Sequence, residues 1–241
     1  YLVDLYYQVQ GFRTDASRQA KAGIKSGEET GTVRWVLDTM TTVEHTIRTL
    51  MDEYTEHSVE GRWAKSIHGI GPVITAGLLA HIDIEQAPTV GHIWRFAGLD
   101  PTVTWAKKTK RPWNAALKIL CWKASDSFVK HSGAEECVYG HVYRARKALE
   151  VSRNEAGLFA EQAKTALVSR QIRDAETRAR YEAGQLPDGR LDLRARRYTV
   201  KLFLSALHEV LYFVRYDRLP PRPYVIEHLG PVGYEAPPNM E

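Results

Sequence analysis

Apolar residues recur at three- and four-residue steps along most of the chain, and the strict alternation of a half-buried strand is absent. Residues 1–24 predict a helix that turns steadily more polar, with Leu2, Leu5, Tyr6 and Val9 ahead of Arg13, Arg18 and Lys21. A break over residues 23–31 carries Ser26, Gly27 and Thr30. Then Val33, Val36, Leu37, Met40, Val43, Ile47, Leu50, Met51 and Tyr54 form a long helical stripe, with Thr32 placed to cap it. Such a helix needs a partner along its length, and the first helix is the nearest, so a helical hairpin is expected. From Trp63 the pattern shortens: Ile67, Ile70, Val73, Ile74, Leu78, Leu79 and Ile82 gather around Gly69-Ile70-Gly71-Pro72. A short helix over residues 90–96 closes at Gly98, and residues 100–113, with Pro101 and Pro112, read as a loop or hairpin. A helix resumes near Asn114, carries Leu117, Ile119, Leu120, Trp122, Ala124 and Phe128, and stops at His131-Ser132-Gly133. Residues 135–183 hold few apolar positions and predict helix with a largely solvated surface. Residues 184–189 form a turn around Pro187. A last helix spans 191–216, and a proline-rich tail is expected to lie extended. The reading is all-α: a helical hairpin or coiled-coil arm (1–60), a helix-hairpin-helix core (61–134), a charged helical insertion (135–190), and a closing helix with its tail (191–241).

Composition narrows the class. With 44% hydrophobic and 10% aromatic residues the chain can bury a core, which excludes disorder as its main state. Two cysteines, Cys121 and Cys137, exclude a disulfide scaffold or an all-cysteine zinc site and favour a reducing compartment. No apolar run approaches the roughly 18 residues of a membrane span, so a soluble, cytoplasmic protein is expected, and the opening Tyr1 suggests that residues precede it. The net charge of +4 decides nothing by itself; the placement of the cations must.

Residues 69–75 have the helix–Gly-apolar-Gly–helix form of a phosphate-binding hairpin. Gly69 and Gly71 are expected to turn tightly at positive φ and let a phosphate approach the backbone, while Ile70 anchors the turn. The amides of the following first turn, through Val73 and Thr75, would face that phosphate with the favourable end of the helix dipole. Such a module grips the backbone without reading sequence. An ordinary glycine-bearing corner is the alternative. The densest cationic cluster is Lys107, Lys108, Lys110 and Arg111, flanked by Trp105 and Trp113. Cations beside flat rings suit phosphates and exposed bases; a solvated loop with two tryptophans dipping into the core is the alternative. Arg190, Arg194, Arg196, Arg197 and Lys201 open the last helix, where the dipole disfavours cations unless an anion lies near. His68, His92, His131, His141, Glu135 and Glu136 show no metal-ligand spacing, so neither metal nor cofactor is expected. Cys121 reads as core, and Cys137 as inert because Glu135 and Glu136 would raise its pKa.

The hairpin, together with the Pro88–Pro101 segment ending Ala97-Gly98-Leu99-Asp100-Pro101, the basic loop, the Asn114-led helix and the late Leu-rich helix, resembles the C-terminal domain of insertion-sequence transposases of the IS one-ten type, the bridge-RNA-guided recombinases. The resemblance spans residues 33–216, diverges over 135–190, and puts residues 33–54 in the place of that family's coiled coil. It implies DNA as partner. Two departures limit it: the family's RuvC-like nuclease half has no counterpart in these residues, and the loop that should carry the nucleophilic serine reads Thr102-Val103-Thr104-Trp105-Ala106-Lys107-Lys108. Thr104 is the nearest substitute, a hindered secondary hydroxyl. A weaker similarity to helix-hairpin-helix DNA glycosylases lacks the catalytic carboxylate expected near Val90, Gly91 and His92. The expectation is therefore a DNA-binding protein derived from a transposase-type domain and repurposed to act on or modify bases in phage or mobile-element DNA. Trp105 and Trp113 would take a flipped base, with Asp100 as acid or base. The alternatives are a non-catalytic or architectural DNA-binding module, self-associating through its helical arms, and a fragment of a recombinase.

Overall fold

The computed structural model describes residues 1–27, 30–106, 108–169, 171–221 and 236–239, which are helical throughout with no strand among them. They fall into two compact units, residues 1–66 with 70–83 and residues 67–69 with the chain from 84 onward.

In the first unit α1 (Leu2–Ser26) and α2 (Gly31–Glu56) run antiparallel against each other. Gln10 donates to Glu44 at 3.2 Å and Arg13 pairs with the same carboxylate. Val3, Tyr6, Val9, Ala16 and Ala20 of α1 are buried, as are Ile47 and Met51 of α2. α2 begins two residues earlier than the stripe predicts: Thr30 is its cap residue, and its side chain makes no capping bond. α3 (Val59–Ser66) precedes the apolar run and was not separately legible from it. Lys65 ties it to the end of α2 through Asp52 Oδ1 at 2.6 Å and the Glu56 carboxylate. α4 (Pro72–His81) is apolar nearly all round, as a helix enclosed by others must be. Thr75 inside it is fully buried, and its hydroxyl has no hydrogen-bond partner among the described residues.

The second unit is built on α10 (Asp188–Tyr216), against which α5 (Val90–Phe96), α6 (Ala115–Lys130) and α7 (Val138–Glu155) pack. Leu191, Ala195, Val200, Phe203, Leu204, Leu207 and Val210 form its buried stripe. Phe128, Tyr139 and Phe203 meet with ring centroids 5.0–5.4 Å apart. A 3₁₀ turn at Ile84–Gln86 leads to α5, and His208 of α10 fixes the chain after it through a 2.8 Å bond to the Ala87 carbonyl. Burial holds the His208 pKa below its ordinary value.

The charged region is helical and largely exposed, as expected, but it also holds a small core. It divides into α7, α8 (Ala160–Ser169) and α9 (Ala175–Glu182), and the last two close a small core of their own with Phe159, Ala163, Tyr181, Leu186 and Leu191. Asn154 secures it by exchanging two bonds with the Leu186 backbone, at 3.1 and 2.8 Å. The final helix starts at Asp188, with Pro187 as its cap residue, so the expected turn gives up its last two residues to the helix. The extended tail expected after Pro221 falls on residues that lie mostly outside those described.

Glu150 joins α7 to α10 from a position with no exposure. Arg194 Nε reaches it at 2.6 Å and Arg146 Nε at 2.7 Å. Burial opposes its ionisation, but the bonds and charges of Arg194 and Arg146 outweigh burial and hold its pKa below the ordinary value. Its ionisation therefore stabilises the fold above the unfolded value of about 4.3, and this contribution is lost as pH falls through that value toward the folded one. Glu150→Gln should cost about 3 kcal/mol of unfolding free energy at neutral pH. In urea titrations repeated at falling pH, the gap from the parent should narrow below about pH 4. Thr75→Val should do the opposite and stabilise by about 1 kcal/mol, because it removes a hydroxyl that was desolvated for no bond; a lower denaturation midpoint would show that the hydroxyl is satisfied.

Candidate nucleic-acid interface

The loop between α5 and α6 is pinned at both feet. The Asn114 amide donates to the Phe96 carbonyl at 2.8 Å, and the Asn114 side chain accepts from the Leu117 amide at 3.0 Å, which caps α6. Gly98 closes α5 at φ +65, and a Cβ there would stand 2.8–3.1 Å from the Trp113 indole. Only glycine lets that ring lie flat on the turn. Trp113 is consequently half-buried, while Trp105 stays 41% exposed and meets it edge-on with centroids 6.3 Å apart. The two readings of the tryptophans thus divide between the two residues.

Within the loop, Asp100 Oδ1 accepts from the Thr102 hydroxyl at 2.7 Å and the Thr102 amide at 2.9 Å. Those bonds hold the Asp100 carboxyl below its usual range, against a smaller effect of burial. Asp100 is therefore an ionised turn residue rather than a proton donor. Thr104 is exposed, and its hydroxyl has no partner among the described residues that would take its proton. The tip is closed by Trp105 Nε1 donating to the Thr109 carbonyl at 2.9 Å, and Lys108 sits in the left-handed region at φ 74. Lys108, Lys110 and Arg111 are exposed, with the Arg111 guanidinium 5.6 Å from the centre of the Trp105 ring. Lys107 lies outside the described residues.

Three further cations stand at this site that the loop sequence does not reveal. Lys118 of α6 places its ammonium 4.3 Å from the Trp113 ring centre, and burial, with Arg197 and Arg111 nearby, lowers its pKa. Lys201 of α10 lies 3.9 Å from the Trp94 ring centre, and its pKa is lowered by burial and by Arg197 against the opposing pull of Asp100. Trp94 Nε1 in turn donates to the Lys201 carbonyl at 3.2 Å. Helical spacing carried the signal: Lys118 lies one turn beyond the Asn114 cap, and Lys201 one turn beyond Arg197.

The hairpin residues are placed as follows. Gly69 has φ +95, and its carbonyl accepts from the Ser127 hydroxyl at 2.6 Å. Gly71 is not at positive φ as expected: at φ −99, ψ 176 it is extended and is the cap residue of α4. A Cβ on Gly71 would meet nothing within 4 Å, so the start of α4 is open on that side. Pro72 removes one of the amides there, which leaves those of Val73 and Ile74 without intrahelical acceptors. Ile70 is buried. Thr75 offers a ligand nothing, since its amide bonds to the Gly71 carbonyl at 3.0 Å and its side chain is enclosed.

The remaining titratable groups are occupied elsewhere. Cys121 is buried and its thiol is pushed up to about 12 by burial. The Cys137 pKa is also raised, but by burial rather than by Glu135 and Glu136, and a backbone bond from Gly140 opposes the shift. The anions required near the start of α10 are supplied by the protein: Glu150 takes Arg194, while Asp192 and Asp126 take Arg196. Among the described residues no group of three or more His, Cys, Asp or Glu side chains is arranged to hold a metal ion, and no helix is long and apolar enough to cross a membrane.

Residues 62–118 match the model of the transposase IS116/IS110/IS902 family. The matched stretch runs from α3 through α4, α5 and the basic loop to Lys118, about a quarter of the chain, and it is similar to a transposase C-terminal-type domain, as the sequence led us to expect. Neither a curated protein nor a solved structure matches the chain.

The Gly98–Trp113 contact is directly testable. Gly98→Ala adds a methyl against the indole at a φ that side chains rarely adopt, so a loss of about 2 kcal/mol is expected. A red shift in tryptophan emission should accompany it in the folded state. Unchanged emission and stability would mean that the ring is not seated on Gly98.

Proposed function

We propose that this is a DNA-binding protein with a transposase-derived segment, and that it holds duplex DNA through backbone phosphates at the loop carrying Lys108, Lys110 and Arg111. The observation that carries the reading is the loop itself: exposed cations stand beside Trp105 on a base held rigid by Asn114 and by Trp113 on Gly98. Lys107 belongs to the same run of sequence and is included in the proposal. A pinned loop loses little conformational freedom on binding, so more of each phosphate contact appears as affinity. The match of residues 62–118 to a transposase family supports DNA as the polymer.

The open start of α4, with the amides of Val73 and Ile74, is proposed as a separate phosphate contact in the other unit and is argued on its own geometry. Ile70 and Gly71 would shape that approach, and Thr75 would serve only the core. Binding is favoured over catalysis. Asp100 is committed to its turn, and no hydrogen-bond partner activates Thr104 among the described residues, so strand exchange or base modification has no acid, base or nucleophile assembled among them. Capture of a flipped base by Trp105 remains compatible with binding alone.

The test is duplex affinity measured against salt. The logarithmic slope should correspond to several phosphates at about −0.9 each. Lys108→Ala, Lys110→Ala and Arg111→Ala combined should make it shallower by about 0.9 for each contact removed, with a matching loss of affinity. A slope that the triple variant does not change would remove the loop from the interface.

A further inference from the structure

One face of α10 carries a stripe of cations outside the matched segment. Arg190, Arg194, Arg197 and Lys201 follow at steps of four, three and four, which confines them to an arc of about 60° and spreads them over roughly 16 Å of helix. Arg194 is neutralised by Glu150. Arg190 and Arg197 are exposed and form no ion pair among the described residues. Beside them α8 and α10 enclose a groove of about 250 Å³, lined by Gln162, Thr165, Ser169, Arg190, Arg194 and Arg197. Arg194 Nη1 reaches Gln162 Oε1 at 3.4 Å, which leaves the Gln162 amide nitrogen as a further donor into the groove. Thr165 and Ser169 already donate to backbone carbonyls of α8, at 2.8 and 2.7 Å, so donation to an anion falls to the arginines and Gln162.

The cations do not end at the groove. Arg197 lies close enough to Lys118 and Lys201 to depress both, and Arg111 acts likewise on Lys118. Lys118 stands 4.3 Å from the Trp113 ring centre, Trp113 meets Trp105 at 6.3 Å and Arg111 stands 5.6 Å from Trp105, so cations recur from the α10 face toward the loop, with Asp100 acting on Lys201. Packing like charges together costs stability unless an anion spans them. A single small anion would fill one end of such a line, whereas a phosphodiester chain fills its length. The aromatic end distinguishes strand from duplex. Bases within a duplex already stack on one another, so the exposed Trp105 has a face to offer only to an unpaired base.

We propose that the α8–α10 groove and the Arg190–Arg197–Lys118 line carry a single nucleic-acid strand toward the exposed Trp105. The proposal deepens the nucleic-acid reading above, and duplex binding by the loop is measured separately so that either can fail alone. The experiment uses the full chain, a fluorescein-labelled oligo-dT of about ten nucleotides and a labelled hairpin duplex, with binding followed by anisotropy. Arg190→Ala with Arg197→Ala should weaken oligo-dT binding at least tenfold and leave the duplex within about twofold, with the oligo-dT salt slope shallower by about 0.7 per arginine. Neither arginine is buried or ion-paired, so the double variant should keep its thermal midpoint, and Arg178→Ala serves as an exposed-arginine control that should change nothing. The proposal is overturned if the parent chain does not bind oligo-dT, if the double variant binds it as before, or if strand and duplex lose affinity equally. Oligo-dT binding that depends on these arginines, in a chain that ignores the duplex, would instead remove the loop–duplex reading and keep this one.

Discussion

The carboxylate of Glu150 decides how the second unit is organised. A group with no exposure must have its charge answered inside the protein, and here the answer comes from two helices at once, Arg146 on its own and Arg194 on α10. That requirement fixes the rotation of α10 about its axis. Once Arg194 faces α7, the apolar stripe through Leu191, Ala195, Phe203 and Leu207 turns inward, and Arg190 and Arg197, one turn to either side of Arg194, are left toward solvent. The buried carboxylate and the apolar stripe thus agree on one orientation of α10, in which Arg190 and Arg197 stay exposed.

The loop after α5 obeys a different constraint, steric rather than electrostatic. A long connection rich in cations would ordinarily be mobile, since it has little apolar surface to bury. Trp113 supplies that surface, and the absence of a side chain at Gly98 provides its seat. Because the Asn114 backbone bonds to Phe96 while its side chain caps α6, the same few residues end one helix, start the next and set the loop between them. The cations of the loop stand on a fixed base, and Lys118 and Lys201 are brought under it by the helices on either side.

Helical periodicity made the all-α class legible, along with the positions of α1, α2, α5, α6 and α10, because each presents an apolar face of the expected spacing. The small core of Phe159, Ala163, Tyr181 and Leu186 was not legible: its members come from α9, from short α8 and from the connections between helices, so no single helical window contains the pattern. Gly71 was assigned a positive φ because it stands in a Gly-apolar-Gly run, yet only Gly69 occupies the left-handed region there, and Gly71 is extended. The basic loop and its tryptophans were visible as composition. Arg197 and Lys201 were visible as cations opening the last helix, but their approach to the loop was not, and Lys118 looks like an ordinary solvated helix position far from them in sequence.

The absence of a serine in the loop bears on how its charge should be understood. A nucleophile requires a neighbour that takes its proton and donors that stabilise the charge developing on its target. Around Thr104 neither is in place among the described residues, and the nearby carboxylate of Asp100 is held in its turn by two bonds from Thr102 to Oδ1. Cations that served a reaction at a single phosphate would converge on one point. Those of this unit are instead drawn out in a line from α10 to the loop, with aromatic rings at one end and a neutral amide donor at the other. An extended line of charge is matched by a polymer, and its strength grows with the number of phosphates it meets rather than with the placement of any one of them. On that ground the proposed role of this line is to hold a strand, a role that needs no nucleophile in the loop.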